Sequence, residues 1–408
     1  MFSSFTTHIR AEVETIKRVI ETHDRIRSLV FLSAPNQSAG NTAIVEMSSC
    51  NGMLTNCLTP ASGEIPETAI GLPVTQLDEI RGGAPPRGSW QVYDHCAAFT
   101  RLYAVYEEFI RDLVSEYLRL IPTLYERYED LPGTIVTQHR LGIAQILLKL
   151  GKEGPYRGLE ETKIIGDLAH GLGGGASYKL LREAFLIDHL NYRHTVLVKL
   201  FGYLGIKDCW TWVERHPLVV AYMERERDKN ETAATVLHNL VEYRNEAAHG
   251  NVTETVATEE IKSIADCVVV ICESLAQLLT TQVVPRRQEL GQADSIGDVI
   301  HRFRDCTVGV RTRAGTVAVG DELIVMRRRA CYAVRILSIQ TNETPHERLV
   351  VTDNQEIGLR LTLSASEGAR LVRLRGQQPL AAPEQTQEHL LEDENAIDLP
   401  EETAPDTD

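Results

Sequence analysis

A chain of 408 residues, 43% hydrophobic and 24% charged, has room for two or three domains that each bury a core. Its net charge of −15 is concentrated at one end. Residues 377–408 hold ten Asp or Glu and no Lys or Arg, which leaves −5 on the remainder, so an anionic partner is not excluded. Eight scattered cysteines with no CxxC pair argue against a zinc site or a disulfide framework and suit a reducing compartment. No leader is evident, and no run reaches the roughly 18 apolar residues of a membrane span. A cytoplasmic protein without membrane contact is expected.

In chain order, residues 6–31 read as a helix, with Ile9, Val13, Ile16, Ile20, His23 and Ile26 at helical spacing. This N-terminal helix, residues 1–32, is followed by a stretch rich in Ser, Thr, Asn, Gly and Pro over 33–89, expected to be a loop or linker. Residues 89–120 carry a broad apolar stripe including Phe99, Tyr103, Tyr106, Phe109 and Leu113, which predicts a long helix, and 135–151 predict another. The Gly-rich passage 169–176 lacks a preceding strand and a following Gly-Lys-Ser/Thr, so it reads as a flexible loop and not a phosphate loop. Short helical pieces are expected over 188–202 and 211–216. Asp188, His189 and His194 lie nearby, but the two histidines are five apart, about 140° round a helix, a poor geometry for one ion. No metal and no cofactor are expected.

Residues 231–249 predict a helix that buries Ala233, Val236, Leu237, Leu240, Val241 and Ala248, with Gly250 and Asn251 as left-handed stop residues. A last helix should start at Thr258, acting as N-cap, and end near Val284 because Pro285 follows. Residues 90–290 thus form an all-α domain. At Ser295 the period shortens. Segments 307–311, 322–325, 332–339, 357–363 and 370–374 alternate as strands and predict a small closed barrel over 295–376. Positions 297–375 hold thirteen Arg and nine Asp or Glu, with Arg327, Arg328 and Arg329 in a row as candidate RNA contacts. The acidic tail, 377–408, is expected to be disordered and could cover the basic site in cis. The fold class is therefore α+β as separate domains: helical bundle, β-barrel, acidic tail.

One stretch carries chemistry, Glu242-Tyr243-Arg244-Asn245-Glu246-Ala247-Ala248-His249-Gly250. Arg-x4-His alone says little, and a second match, Arg18 to His23, occurs in the first helix. The later match differs in context. Asn245 and His249 share a helix face, Arg244 can swing its guanidinium to the same end, and Ala247 and Ala248 leave room beside the histidine. At the last helical position the negative end of the helix dipole favours an imidazolium, and Glu242 and Glu246 can orient it. A guanidinium beside an imidazole suits phosphodiester chemistry, with the arginine clamping phosphate and the histidine moving a proton. With RNA, the 2′-hydroxyl serves as nucleophile. One motif supplies one histidine, so a site needing both an acid and a base calls for a symmetric dimer. The alternative is a salt bridge from Arg244 to Glu242 or Glu246 with His249 a mere helix-end residue.

This Tyr243-to-Gly250 stretch, placed before the final helix of an α bundle, resembles the signature of the HEPN superfamily. Residues 90–285 look like its stand-alone prokaryotic members of defence and toxin systems, of the MAE-28990-like sort, as does the Asn191-Tyr192-Arg193 turn before Leu197. The resemblance implies a metal-independent, homodimeric endoribonuclease with Arg244 and His249 catalytic, Asn245 and Glu246 supporting, and a 2′,3′-cyclic phosphate product. Separately, the segments 315–325, 334–340 and 356–361 resemble the second domain of elongation-factor-Tu-type translation GTPases. That likeness implies that the barrel recruits tRNA or ribosome-associated RNA. A non-catalytic RNA- or ribosome-binding adaptor, or an antitoxin-like or regulatory partner protein, remains the competing expectation.

Overall fold

The protein is described by a computed structural model over residues 2–31, 74–151, 156–175, 178–187, 191–250, 252 and 254–375. Helical spacing of apolar residues builds α1 (Ser3–Phe31), whose Ile9, Val13, Ile16 and Ile20 are buried. The buried position in the next turn is Arg27, while Ile26 is exposed. The arginine is kept inside by carboxylates, donating to Asp94 and Asp24. A second helix, α2 (Val74–Gly83), lies within the stretch expected to be loop, and α3 (Arg87–Leu124) follows it. The Gly-Gly and Pro-Pro pairs around 82–86 mark the break between these two helices instead of a longer irregular segment. The predicted loop over 33–73 lies outside the described residues, as does the tail beyond 375.

The bundle continues through α4 (Gly133–Lys149), α5 (Glu161–Leu172), α6 (His194–Tyr203), α7 (Cys209–Arg215), α8 (Pro217–Glu226), α9 (Ala233–His249) and α10 (Thr258–Glu289). Part of the Gly-rich passage is thus helical, since α5 extends to Leu172 before Gly173 caps it. Asp188 and His189 lie outside the described residues, and no metal-binding cluster occurs among the described ones. Helix α3 packs against α1, α9 and α10, and a single core runs through them. Helix α10 is long and apolar enough to cross a membrane, but its apolar window is 67% buried inside the bundle, where it serves as core.

Two expectations about α10 are corrected. Its N-cap is Ala257, whose carbonyl accepts from Glu260 and Ile261, so Thr258 is already helical. Pro285 does not end the helix but sits inside it, just before the last turn. There it removes one N–H and crowds the carbonyl four residues back. Arg286 anchors the end that follows by donating to the Leu124 carbonyl (3.1 Å) and stacking over Tyr125 (4.9 Å).

Past α10 the described chain forms nine strands: β1 (Ala293–Arg302), β2 (Thr307–Thr312), β3 (Gly315–Ala318), β4 (Glu322–Arg327), β5 (Ala330–Thr341), β6 (Thr344–His346), β7 (Arg348–Val351), β8 (Glu356–Leu361) and β9 (Arg370–Leu374). The order β4-β9-β1-β2-β8-β5, with β5 pairing back to β4, closes a six-stranded antiparallel barrel. β6 adds to β5, and β3 pairs with β7 as a separate ribbon. The strand signals in the sequence omit β1, whose register slips twice, between Ser295 and Gly297 and between Val299 and His301. A Cβ at Gly297 would stand 2.3 Å from the Arg311 carbonyl, so the first bulge needs glycine for close approach. A small core of Val284, Ala293, Ile324, Cys331, Val372 and Leu374 joins barrel to bundle. Gln277 reinforces it, accepting from the Cys331 amide (2.9 Å) while contacting His216 Nε2 (3.0 Å).

Candidate active site

Helix α9 begins at Thr232, whose hydroxyl accepts from the Thr235 amide (3.2 Å). It ends where Gly250, at φ +70°, returns its N–H to the Glu246 carbonyl. Ala233, Val236, Leu237, Leu240 and Val241 are buried, as spacing predicts. Ala248 is exposed instead, because the last turn projects beyond the core with His249 and Gly250. The motif therefore stands at the rim of the bundle, half in and half out of solvent.

Arg244 lies over the Tyr103 ring, its Cζ 4.5 Å from the centroid. Its Nη1 donates to two amide oxygens, Asn191 Oδ1 (3.1 Å) and Asn245 Oδ1 (3.0 Å). Among the described residues it has no carboxylate partner. The expected alternative, a salt bridge to Glu242 or Glu246, is not what the structure contains, because Glu242 pairs with Arg193. Amide oxygens orient a guanidinium without neutralising it, so the charge and the Nε and Nη2 donors stay available to an anion.

The platform is itself held from behind. Tyr103 Oη accepts from the Tyr192 amide (3.0 Å), and Tyr106 Oη donates to the Tyr192 carbonyl (2.7 Å). Burial pushes the pKa of both phenols up, so they remain neutral hydrogen-bonding groups. These two bonds fix the turn in which Asn191 sits at φ +61°, a conformation that asparagine tolerates. Tyr243 packs against Phe99 (4.7 Å) and His95 (5.5 Å), which sets the rotation of α9. Burial lowers the His95 pKa and keeps its imidazole neutral.

His249 is exposed at the helix end and, among the described residues, has no hydrogen-bond partner. Glu246 is half-buried on the same helix, its carbonyl engaged in the cap. Arg327, Arg328 and Arg329 are placed elsewhere, exposed on the β4–β5 hairpin whose neighbour Cys331 rests on Gln277. Among the described residues no contact brings them to Arg244. Sequence reasoning did not assign roles to Asn191 or Tyr103. Asn191 had a signal in the Asn-Tyr-Arg turn before α6, whereas Tyr103 looked like any other aromatic on the α3 stripe.

The sequence model of the family described as RiboL-PSP-HEPN matches residues 75–281, just over half of the 408. The match begins in α2, ends in α10, and encloses Asn191, Arg244, Asn245 and His249. No curated protein matches the chain.

Proposed function

Because the chain belongs to the RiboL-PSP-HEPN family of the HEPN superfamily, we propose that it is a metal-independent endoribonuclease of a prokaryotic defence or toxin–antitoxin system, active as a homodimer. The observation that carries this reading is an Arg244 guanidinium positioned by two amides and an aromatic face, with no counter-ion among the described residues. A structural arginine in that setting would be expected to pair with one of the two glutamates on its own helix.

In the proposed reaction Arg244 binds the scissile phosphate and stabilises the charge that grows on its oxygens. The RNA 2′-hydroxyl attacks the adjacent phosphorus, the bond to the 5′-oxygen breaks, and a 2′,3′-cyclic phosphate remains. One His249 takes the 2′-hydroxyl proton, and the His249 of a second copy gives a proton to the leaving oxygen. Asn245 holds Arg244, and Glu246 contributes negative potential near the imidazole. Two interacting histidines should give a bell-shaped pH–rate profile. Purified full-length protein should cut RNA in EDTA, and Arg244→Ala or His249→Ala should abolish cutting with the fold intact. Cleavage surviving both substitutions would contradict the assignment.

A second reading, a non-catalytic adaptor that brings the bundle to tRNA or the ribosome, draws on the net +4 charge over 297–375. It predicts salt-sensitive RNA binding by a protein that cuts nothing.

A further inference from the structure

At one end of the barrel, where β9 stops and β8 begins, guanidiniums meet acids: Arg311 with Glu356, Arg373 with Asp321, Arg375 with Asp294, and Arg313 near Asp298 (4.0 Å). Part-way along the barrel Arg335 pairs with Glu322, and Arg370 lies 3.8 Å from Asp298. The antiparallel order brings the ends of β1, β4 and β8 and the starts of β2, β5 and β9 together at the opposite end. Six exposed arginines stand there: Arg302, Arg304, Arg327, Arg328, Arg329 and Arg360. Among the described residues none of the six has an ion-pair partner. Of the acids nearby, Glu367 is engaged by His301 (3.3 Å) and by the Arg302 amide (3.3 Å), and Asp305 sits in the β1–β2 turn.

Two features add to the charge. Phe303, in the β1–β2 turn, is 53% exposed and packs edge-on against the His301 ring at 4.7 Å. Tyr332 ties β5 to the β8–β9 connection by donating to the Ser364 carbonyl (2.7 Å), and Arg327 and Arg302 both lie close enough to oppose the effect of burial on its phenol. The arginines of two separate hairpins thus converge around one tyrosine, beside an exposed aromatic pair.

We infer that this end of the barrel is a binding surface for single-stranded RNA, the arginines following the phosphates while a base stacks on Phe303. Uncompensated guanidiniums beside an exposed aromatic face suit an unpaired strand, which offers phosphates and base faces together. The inference rests on the reading of the protein as RNA-directed and gives that reading a second site apart from Arg244. The Gln277 link and the small shared core fix the barrel on α10, so the surface holds a set position relative to the bundle.

The test uses full-length protein carrying His249→Ala, in EDTA, with a fluorescein-labelled oligouridylate of about twelve nucleotides. Polarisation is read across a salt series. Arg302→Glu, Arg304→Glu and Arg328→Glu combined should weaken binding at least ~10-fold and lower the salt slope by about two, near 0.7 for each phosphate no longer neutralised. Arg311→Glu, Arg313→Glu and Arg375→Glu impose the same charge change at the opposite end and should weaken it less than ~3-fold. Phe303→Ala should cost about tenfold with the slope unchanged, as stacking predicts. If the first triple variant does not fold, as read by circular dichroism, the alanine triple and Phe303→Ala decide the matter. Equal losses in both triples, no loss in either, or tighter binding of duplex than of single strand overturns the inference. Since binding is read on a protein that does not cut, failure of the nuclease reading leaves this result interpretable. Conversely, cleavage that needs Arg244 but ignores the barrel variants would sink the surface alone.

Discussion

Two places in this molecule share the spacing Arg-x4-His and differ in almost everything else. In α1, His23 Nδ1 lies 2.8 Å from Asp94, which also accepts from the buried Arg27, and the helix runs on for two more turns. That histidine is absorbed into a carboxylate cluster that fastens α1 to α3. In α9, Arg244 is gripped by amides and an aromatic ring, His249 is unpartnered among the described residues, and the helix stops. The lesson is that a motif becomes a candidate site when its neighbours orient the charges without cancelling them.

The comparison can be broken most forcefully at the α9 motif. Arg244→Ala or His249→Ala should reduce RNA cleavage at least ~10³-fold, the scale of losing phosphate charge stabilisation or general acid–base help. Arg18→Ala and His23→Ala should leave the rate within about twofold, because the α1 match contributes no chemistry. A gel assay with 5′-labelled RNA in EDTA reads all four.

The α1 cluster should instead show itself in stability. Asp94→Ala leaves Arg27 buried with only Asp24, and about 3 kcal/mol of stability should be lost in urea unfolding. Cleavage measured well below the new unfolding midpoint should be unchanged. A loss of activity with wild-type stability would mean that the cluster takes part in the chemistry.

A third contrast concerns pH. His139 is buried and has its pKa pushed down by desolvation to about 4, with Nε2 accepting from the Leu181 amide and Nδ1 facing Tyr128 Oη. The unfolded chain binds that proton near pH 6.5 and the folded chain does not. Stability should therefore fall as pH drops from about 6.5 to about 4, by roughly 3 kcal/mol from this group. His95 and His216, also lowered by burial, act in the same direction. His139→Gln should flatten the dependence of the urea midpoint over that window. A midpoint independent of pH in the wild type would contradict the neutral, buried imidazole.

The smallest effect sharpens the comparison from within the candidate site. Asn191→Gly keeps the left-handed backbone and removes one of the two amide acceptors of Arg244. Cleavage should drop about tenfold, the scale of one hydrogen bond to a charged group, with the unfolding midpoint shifted only slightly. An unchanged rate would mean that Asn245 alone positions the guanidinium.

Much of this architecture was legible in the residues because periodicity reports burial. The stripes of α3 and α9 and the stop at Gly250 were all readable, as was the change to a two-residue period after α10. Features that depend on distant partners were not. Arg27 displaces Ile26 from the core because Asp94, 67 residues away, receives it. β1 hides behind two bulges that scramble its alternation. The acceptors of Arg244 include an asparagine 53 residues upstream, and its platform lies on α3, so the motif could be read but not its support. The pairing of barrel arginines was likewise invisible, because composition counts charges and topology decides which of them meet.

The most direct test of the central claim is RNA cleavage by the purified full-length chain in EDTA, compared with His249→Ala at equal concentration. We expect the wild type to cut and leave 2′,3′-cyclic phosphate ends, and the variant, folded by circular dichroism, to leave the RNA intact. Equal cutting by both proteins, or cutting that EDTA abolishes, would contradict it.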